Sequence, residues 1–355
     1  MTDGAGAVRA ARLTDRQALA ALSRRVHGST EAHRRSLGVP AADAARPRIS
    51  LAALIPSWLP LRSPSVHLVA EMDGQLVGSA RAISEPHRPD WAIIELDADD
   101  GDMAAEVRWH LLTALVEAGG SEGVARFHVA CADARENLEL FGQAGFMAYA
   151  QEEISYRPPD VTRGPGSWLR AFVDARRGGG PGGEDGRDSG PPTVRSAGSP
   201  DAWHLFDLWT HATPPAIARI EDYHAADWEG VGHEAVVPRS SLNPLLQFGT
   251  VGAWLQVGEQ RAAAMAQHGA CREGPHYLRF FIREGADGAA FLREVLRGPA
   301  REAAAAGILA PVRTYESAGL RAAAAVGFEP IGRVTLLVRE VRAQVRQPAM
   351  VPVVH

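Results

Sequence analysis

Two stretches of this sequence carry residues whose types and spacing suit chemistry. Arg283-Glu284-Gly285-Ala286-Asp287-Gly288-Ala289 joins a β-rich run to a helical one. Small residues let backbone N–H groups approach an anion, and a helix start adds partial positive charge. Arg283 with the amides of Gly285, Gly288 and Ala289 can therefore cradle a phosphate. The same residues also make an ordinary glycine-rich strand-to-helix turn. In the other half of the chain, WAIIELDA places Glu95 between Ile94 and Leu96. Strand alternation sends Glu95 to the face opposite those two, where it borders a cleft or simply faces solvent.

Other reactive types do not assemble into sites. The 13 histidines include His27 and His33, His204 and His211, and His224 and His233, none at a metal-ligand spacing. Cys131 and Cys271 lie far apart and outside any C-x-x-C, so neither a zinc site nor a disulfide framework follows. No G-x-S-x-G elbow anchors a Ser-His-Asp triad. A formal charge of −5 and a pI near 6.2 count against a nucleic-acid partner. All 37 basic residues are arginine, for which codon usage in a GC-rich genome is the plain explanation. The N-terminus has no apolar signal region and no run of 18 apolar residues occurs, so a soluble cytoplasmic chain, off the membrane, is the expectation.

The elements that must position these residues occur twice. In the first half Val8–Leu13 reads as a strand and Thr14 as the cap of a helix to Val26, with Leu19, Leu22 and Val26 on one face. A proline-rich stretch over 28–65 follows, with a helix expected around Ile49–Ile55. A hairpin turning at Asp73-Gly74 joins Val66–Glu71 to Gln75–Ile83. Strand Trp91–Asp97, helix Met103–Ala118, strand Val124–Ala130, helix Ala134–Ala144 and strand Phe146–Tyr156 complete the half. The second half repeats the plan. A strand near Val194 precedes helix Pro200–Thr210 and a hairpin over Val251–Gln267 turning at Gly258-Glu259. Strand His276–Arg283, helix Gly288–Ala306, a short strand from Val312, helix Ser317–Val326 and strand Phe328–Val341 follow. Each half closes through a Gly-Phe pair, Gly145-Phe146 and Gly327-Phe328.

A shared order of elements marks a duplicated domain, and 355 residues suit two domains at ~100–200 residues each. The domains are read as 1–157 and 193–343, with a Gly/Pro-rich linker over 158–192, including a short helix at Ser167–Arg177, and a tail over 344–355. Trp203 and Trp209 are expected to pack the first helix of the second domain. The segment Thr210–Glu229, with Pro214-Pro215, is expected to line a cleft or interface.

This order, with N-x-x-x-F-x-x-x-G-F at Asn137, Phe141, Gly145 and Phe146 and GFEPIGR at Gly327–Arg333, resembles the GNAT superfamily of acyl-CoA N-acyltransferases. The resemblance covers both halves. It implies an α/β (α+β) fold of two tandem GNAT-like domains, each a mixed, mostly antiparallel twisted sheet flanked by helices. It further implies acetyl-CoA as co-substrate without a metal, and a small-molecule or peptide amine as acceptor. Under it, Glu95 is the candidate general base, and Arg283, Gly285, Gly288 and Ala289 are the candidate cofactor-binding residues.

The sequence also departs from the family. In the first half, small-residue positions of the phosphate loop fall on Ala104, Glu106 and Arg108, and Asp99, Asp100 and Asp102 stand where a phosphate would dock. The tyrosine that commonly protonates the leaving thiolate is replaced by Phe141 and Ala323. Three readings follow: an acyl-CoA N-acyltransferase active in one half, a GNAT-like small-ligand-binding protein with decayed CoA sites, and an aminoacyl-tRNA-dependent transferase. The acidic pI counts against the third. A monomer and a homodimer both remain open. The readings divide on whether the fourth and fifth strands of either half open into a wedge.

Overall fold

The computed structural model describes residues 7–39, 65–85, 88–159, 194–231, 239–242, 248–258, 261–271, 274–298, 300 and 306–341. The helix expected at Ile49–Ile55, the 158–192 linker with its helix at Ser167–Arg177, the turn residue Glu259 and the 344–355 tail lie almost wholly outside them.

The first half comprises β1 (Ala7–Ala10), α1 (Arg16–Gly28), α2 (Thr30–Arg35), β2 (Ser65–Met72), β3 (Gln75–Ser84), β4 (Asp90–Ala98), α3 (Ala104–Ser121), β5 (Arg126–Ala132), α4 (Arg135–Gln143) and β6 (Met147–Arg157). The second comprises β7 (Val194–Ser196), α5 (Ala202–Ala212), α6 (Pro215–Glu221), β8 (Phe248–Val257), β9 (Ala262–Cys271), β10 (His276–Ile282), α7 (Gly288–Arg297), β11 (Ile308–Arg313), α8 (Ser317–Ala325) and β12 (Glu329–Glu340). Asp73 and Gly74 both take positive φ, as a tight hairpin turn requires. The last expected short strand begins at Ile308 rather than Val312. Gly307, at positive φ, ends the preceding element, so Ile308 and Leu309 belong to the sheet.

The chain forms two compact units. Unit 1 takes the first half up to Tyr149 and the segment from Thr335; unit 2 takes Ala150 to Val334. The closing strands are thus exchanged. Unit 1 has the strand order β1-β2-β3-β4-β5-β12 and unit 2 the order β6-β11-β10-β9-β8-β7. A matched pair of arginines fixes the exchange. In unit 1, Arg339 donates to the Ala144 carbonyl at 2.6 Å; in unit 2, Arg157 donates to the Val326 carbonyl at 3.0 Å. Each caps the helix end just before the Gly-Phe turn, where carbonyls lack helical partners.

A second duplicated brace starts each unit. Arg9 pairs with Asp15 at 2.6 Å and Arg195 with Asp201 at 2.6 Å. Each aspartate also accepts a backbone N–H three residues upstream, from Arg12 at 2.7 Å and Gly198 at 3.0 Å. This displaces Thr14 from its expected capping role, because α1 starts one residue later, at Arg16, behind a 3-10 turn over Leu13–Asp15.

Helices cover both faces of each sheet. In unit 1, α1 lays Leu19 on Val69 and Leu76, and α3 presses Val107 and Leu111 onto the opposite face at Gly78. In unit 2, α7 packs Phe291, Leu292 and Val295 on Leu278 and Phe280, while α5 brings Leu205, Leu208 and Trp209 to Met265 and Phe281. Trp203 departs from expectation. It sits on the outer side of α5, 65% exposed, tilted against Phe206 at 5.9 Å. The segment after Thr210 instead sends Tyr223 and Trp228 into unit 2's own core. Among the described residues no helix is long and apolar enough to cross a membrane.

Candidate functional site

In unit 1 the parallel β4–β5 ladder runs from Asp90↔Arg126 to Ile93↔Val129 and stops, although both strands continue. A register shift on β4 falls at the same place, since Arg81 faces Glu95 while Ala82 faces Ile93. The extra residue, Ile94, bends the strand. Beyond it Glu95 and Asp97 share the sheet face that carries His67, Ser79 and Arg81. That face lies under α1.

The two carboxyl groups occupy different electrostatic settings. Ser79 Oγ donates a short hydrogen bond to Glu95 and lies 2.9 Å from His67 Nε2, which is 3.7 Å from the same carboxylate. Burial, the largest influence, opposes ionisation of Glu95; His67, Ser79 and Arg81 together outweigh it and hold the group down to about 2. Burial pushes Asp97 the other way, well above the carboxylate range. The charge of Glu95 adds to that shift and Arg108 offsets part of it. Two carboxyls on one strand with affinities driven apart are suited to different roles, and Asp97 is the better proton acceptor near neutral pH.

Beside this face, at the start of α3, lies a crevice of about 190 Å³ counted with its open mouth. Ala98, Asp99, Asp100, Ala104 and Arg108 line one side, and Ala32, Arg35 and Ser36 the other. The aspartates that stand at the expected phosphate position are neutralised: Asp99 pairs with Arg25 at 2.5 Å and Asp100 with Arg35 at 3.3 Å. No side chain caps the first turn of α3; Ala104 N–H goes to Gly101 O at 3.1 Å, and the N–H groups of Ala105 and Glu106 that follow are open to an anion. Arg108, 4% exposed, donates to Asn137 Oδ1 at 2.9 Å, and its Nε has no partner among the described residues. Burial lowers Arg108 to about 10. Asn137 in turn donates to the Arg34 carbonyl at 3.1 Å, and Ala132 N–H to Leu37 O at 2.6 Å, tying the α2 segment over the wedge. Gly38 is required there: a Cβ would stand 2.9 Å from that of Ala132, at a φ of +60°. As it stands, the crevice has no interior room for a water molecule.

Unit 2 opens in the same way and fills the gap differently. Its β10–β11 ladder ends after Tyr277↔Leu309. Arg279, fully buried, donates to Phe280 O on its own strand at 3.1 Å and reaches across the diverging strands to Pro311 O at 3.3 Å. It also pairs with Glu316 through two bonds of 2.7 and 2.5 Å. Beside it Arg313 binds Glu152 at 2.8 Å, Glu221 at 2.7 Å and Arg239 O at 2.6 Å.

The loop expected to hold phosphate is engaged internally. Arg283 pairs with Asp207 at 2.7 Å and donates to Ala262 O at 2.9 Å. Asp287 caps α7 by accepting from Ala290 N–H at 2.9 Å, which places a carboxylate at the helix start. Gly288 serves packing, since a Cβ would stand 2.7 Å from Ile282 and 2.9 Å from Ala322. Gly285, at φ +88°, faces open space, and Ala289 is half-buried on the first turn.

At the expected thiolate-acid positions, Phe141 packs edge-on against Phe146 at 5.2 Å and Ala323 is buried in the unit 2 core. Among the described residues no group of three or more His, Cys, Asp or Glu could hold a metal. Sequence reasoning missed Asp97, Arg108 and the Arg279–Glu316 pair. Only Asp97 left a readable signal, two residues beyond Glu95 in the same strand.

No protein-family model and no curated protein matches the sequence. Solved structures do match along nearly the whole chain. A candidate acetyltransferase from Pyrococcus horikoshii has a TM-score of 0.50 at 10% identity, over 97% of this chain and 92% of that one. A tandem GNAT protein from the clavulanic acid biosynthesis pathway has a TM-score of 0.49 at 12% identity, over 94% and 98%. A GCN5-related N-acetyltransferase from Sphaerobacter thermophilus gives 0.49 at 15% identity, over 94% and 95%. At such identities the likeness is one of fold alone, and the α/β (α+β) class implied by the sequence, with mostly antiparallel strands flanked by helices in two units, is borne out.

Proposed function

We propose that this chain is an N-acyltransferase that moves an acyl group from acetyl-CoA, or another acyl-CoA, to the amine of a small molecule or peptide, with unit 1 as the working unit. The observation that carries the reading is the end of the β4–β5 ladder at Ile93↔Val129, directly beside the bulge that turns Glu95 and Asp97 to one face. The opened strands offer unpaired backbone for an extended pantetheine arm. The uncapped start of α3, with small Ala98 and Ala104, suits the pyrophosphate. Arg108 and Arg35 supply positive charge, and the ion pairs of α2 must part to admit the donor.

Asp97 takes the proton from the incoming ammonium, and Glu95, held ionised by Ser79, His67 and Arg81, attracts that cation. The freed amine attacks the thioester carbonyl, and collapse of the adduct breaks the carbon–sulfur bond, the proton lost from the adduct nitrogen passing through water to the leaving thiolate. Free-thiol release with acetyl-CoA and a panel of amines tests this. Asp97→Asn is expected to lower turnover by about 10²-fold or more and to leave donor affinity within about twofold. Turnover equal to the parent would remove the role from Asp97. A second reading, binding of a small ligand without chemistry, is favoured by the closed crevice. It predicts no acyl-CoA binding at all.

A further inference from the structure

In unit 1 the opened strands already have an occupant, supplied by the chain itself. Ala132 lies three residues beyond Val129, where the β4–β5 ladder ends, and its N–H is taken by Leu37 O at 2.6 Å. Leu37 belongs to a strap of residues 29–39 that runs from the end of α1 through α2. Ser36, Leu37 and Val39 are buried. Gly38 lies so close to β5 that a Cβ would stand 2.9 Å from that of Ala132.

The outer ties of the strap are polar. Arg34 pairs with Glu136 at 3.0 Å and Arg35 with Asp100 at 3.3 Å, while Asn137 donates to Arg34 O at 3.1 Å. All four ion-paired side chains are at least 35% exposed, and ion pairs in water hold weakly. Two backbone breaks bound the strap. Ser29 is extended between α1 and α2, at φ −104° and ψ 120°, and Gly38 takes φ +60°. Positions of this kind absorb the rotations of a hinge.

The strap engages the groups that an acyl-CoA would need. Leu37 O takes a backbone N–H of the opened strand, as a carbonyl of the pantetheine arm would. Arg35, one of the cations assigned to the donor phosphates, is held on Asp100. Ala32, Arg35 and Ser36 form one wall of the filled crevice at the start of α3. A seated strap and a bound donor therefore exclude each other. A donor that binds only the open state loses affinity in proportion to the closed fraction.

We infer that the strap is an autoinhibitory element: its Leu37 carbonyl stands in for the pantetheine arm on β5, and acyl-CoA binds by displacing it. The inference rests on the donor site proposed for unit 1.

The test is calorimetric titration of acetyl-CoA into the full chain, Gly38→Ala, Glu136→Gln and Gly123→Ala. Deuterium exchange of residues 30–39 is read with and without acetyl-CoA. Alanine is strained at φ +60°, so Gly38→Ala unseats the strap and is expected to bind roughly 5–10-fold more tightly than the parent. It should also melt at a lower temperature; a merely structural glycine would lose stability and affinity together. Glu136→Gln removes one outer tie and should gain about twofold. Gly123, at φ +84° with nothing near its missing Cβ, carries a like backbone penalty away from the strap, so Gly123→Ala should bind as the parent does. Saturating acetyl-CoA is expected to speed exchange in residues 30–39 of the parent. Where Gly38→Ala does not fold, Glu136→Gln and the exchange of the parent decide. Equal or weaker binding in the strap variants, or exchange left unchanged or slowed by bound acetyl-CoA, would overturn the inference and leave the donor site standing. No binding to any of the four chains would instead remove the donor site, and the inference with it.

Discussion

At corresponding places on the two sheets, unit 1 pairs Arg81 with Glu95 across β3 and β4, whereas unit 2 pairs Gln267 with Arg279 across β9 and β10. The strands beyond these pairs diverge in both units. In unit 1 a bulge precedes the carboxylate, which keeps a side-chain exposure of 16%. In unit 2 the β9–β10 register runs without a shift, and the arginine turns into the gap to meet Glu316 at 2.5 Å. One duplicated scaffold thus supports two outcomes. A charge held by neighbours on a bent strand stays partly exposed, and a charge neutralised across the gap becomes structure.

The largest expected effect breaks the unit 2 side of this contrast. Arg279→Met leaves Glu316 buried without its cation and should cost about 3–5 kcal/mol in urea unfolding. Adding Glu316→Gln should recover more than half. Failure of the second change to rescue would mean that packing, not charge, fills the gap. Arg108→Met is the matched change in unit 1. Arg108 has no carboxylate in direct contact, only Asn137, so the same measurement should move by less than about 1 kcal/mol in either direction.

The pH dependence sharpens the comparison within unit 1. Burial raises Asp97 in the folded state above its unfolded value of about 3.9. Its favourable contribution is therefore complete below that value and lost as pH rises through the folded one. Asp97→Asn should be more stable than the parent by about 1–2 kcal/mol at pH 7, with the difference closing towards pH 4. A difference that widens on acidification would contradict this placement. Effects well below that at Arg279 concern the exchanged strands. Arg157→Ala and Arg339→Ala should each cost about 0.5–1.5 kcal/mol, and by similar amounts, since both lose one cap to a helix carbonyl. A large inequality would show that the two exchanges are not equivalent.

Much of this architecture was legible because it is local. The Asp73-Gly74 turn, the two Gly-Phe closures and the helix faces of α1 and α3 follow from spacing alone. The duplicated Arg9–Asp15 and Arg195–Asp201 braces were also written in the sequence, as V-R-x-A-x-x-x-D in each half, though the fold was needed to give them meaning. The exchange of closing strands was not legible, since it depends on which strand edge β6 and β12 meet after turns that share the same Gly-Phe pair. The filling of the gaps was hidden for a similar reason. It depends on how far Arg108 and Arg279 reach, and an arginine on a strand or helix reads the same whether it faces solvent or crosses a sheet. The bulge at Ile94 is invisible to simple alternation, and it decides that Glu95 and Asp97 share a face with His67.

The most direct test is calorimetric titration of acetyl-CoA into the parent chain, Ala104→Glu and Ala289→Glu, each first checked for an unchanged melting temperature. Ala104→Glu adds negative charge at the crevice of unit 1, and Ala289→Glu adds it at the first turn of α7 without crowding its packing. The account predicts micromolar binding to the parent, retained in Ala289→Glu and lost in Ala104→Glu. No binding to the parent, or loss only in Ala289→Glu, would contradict it.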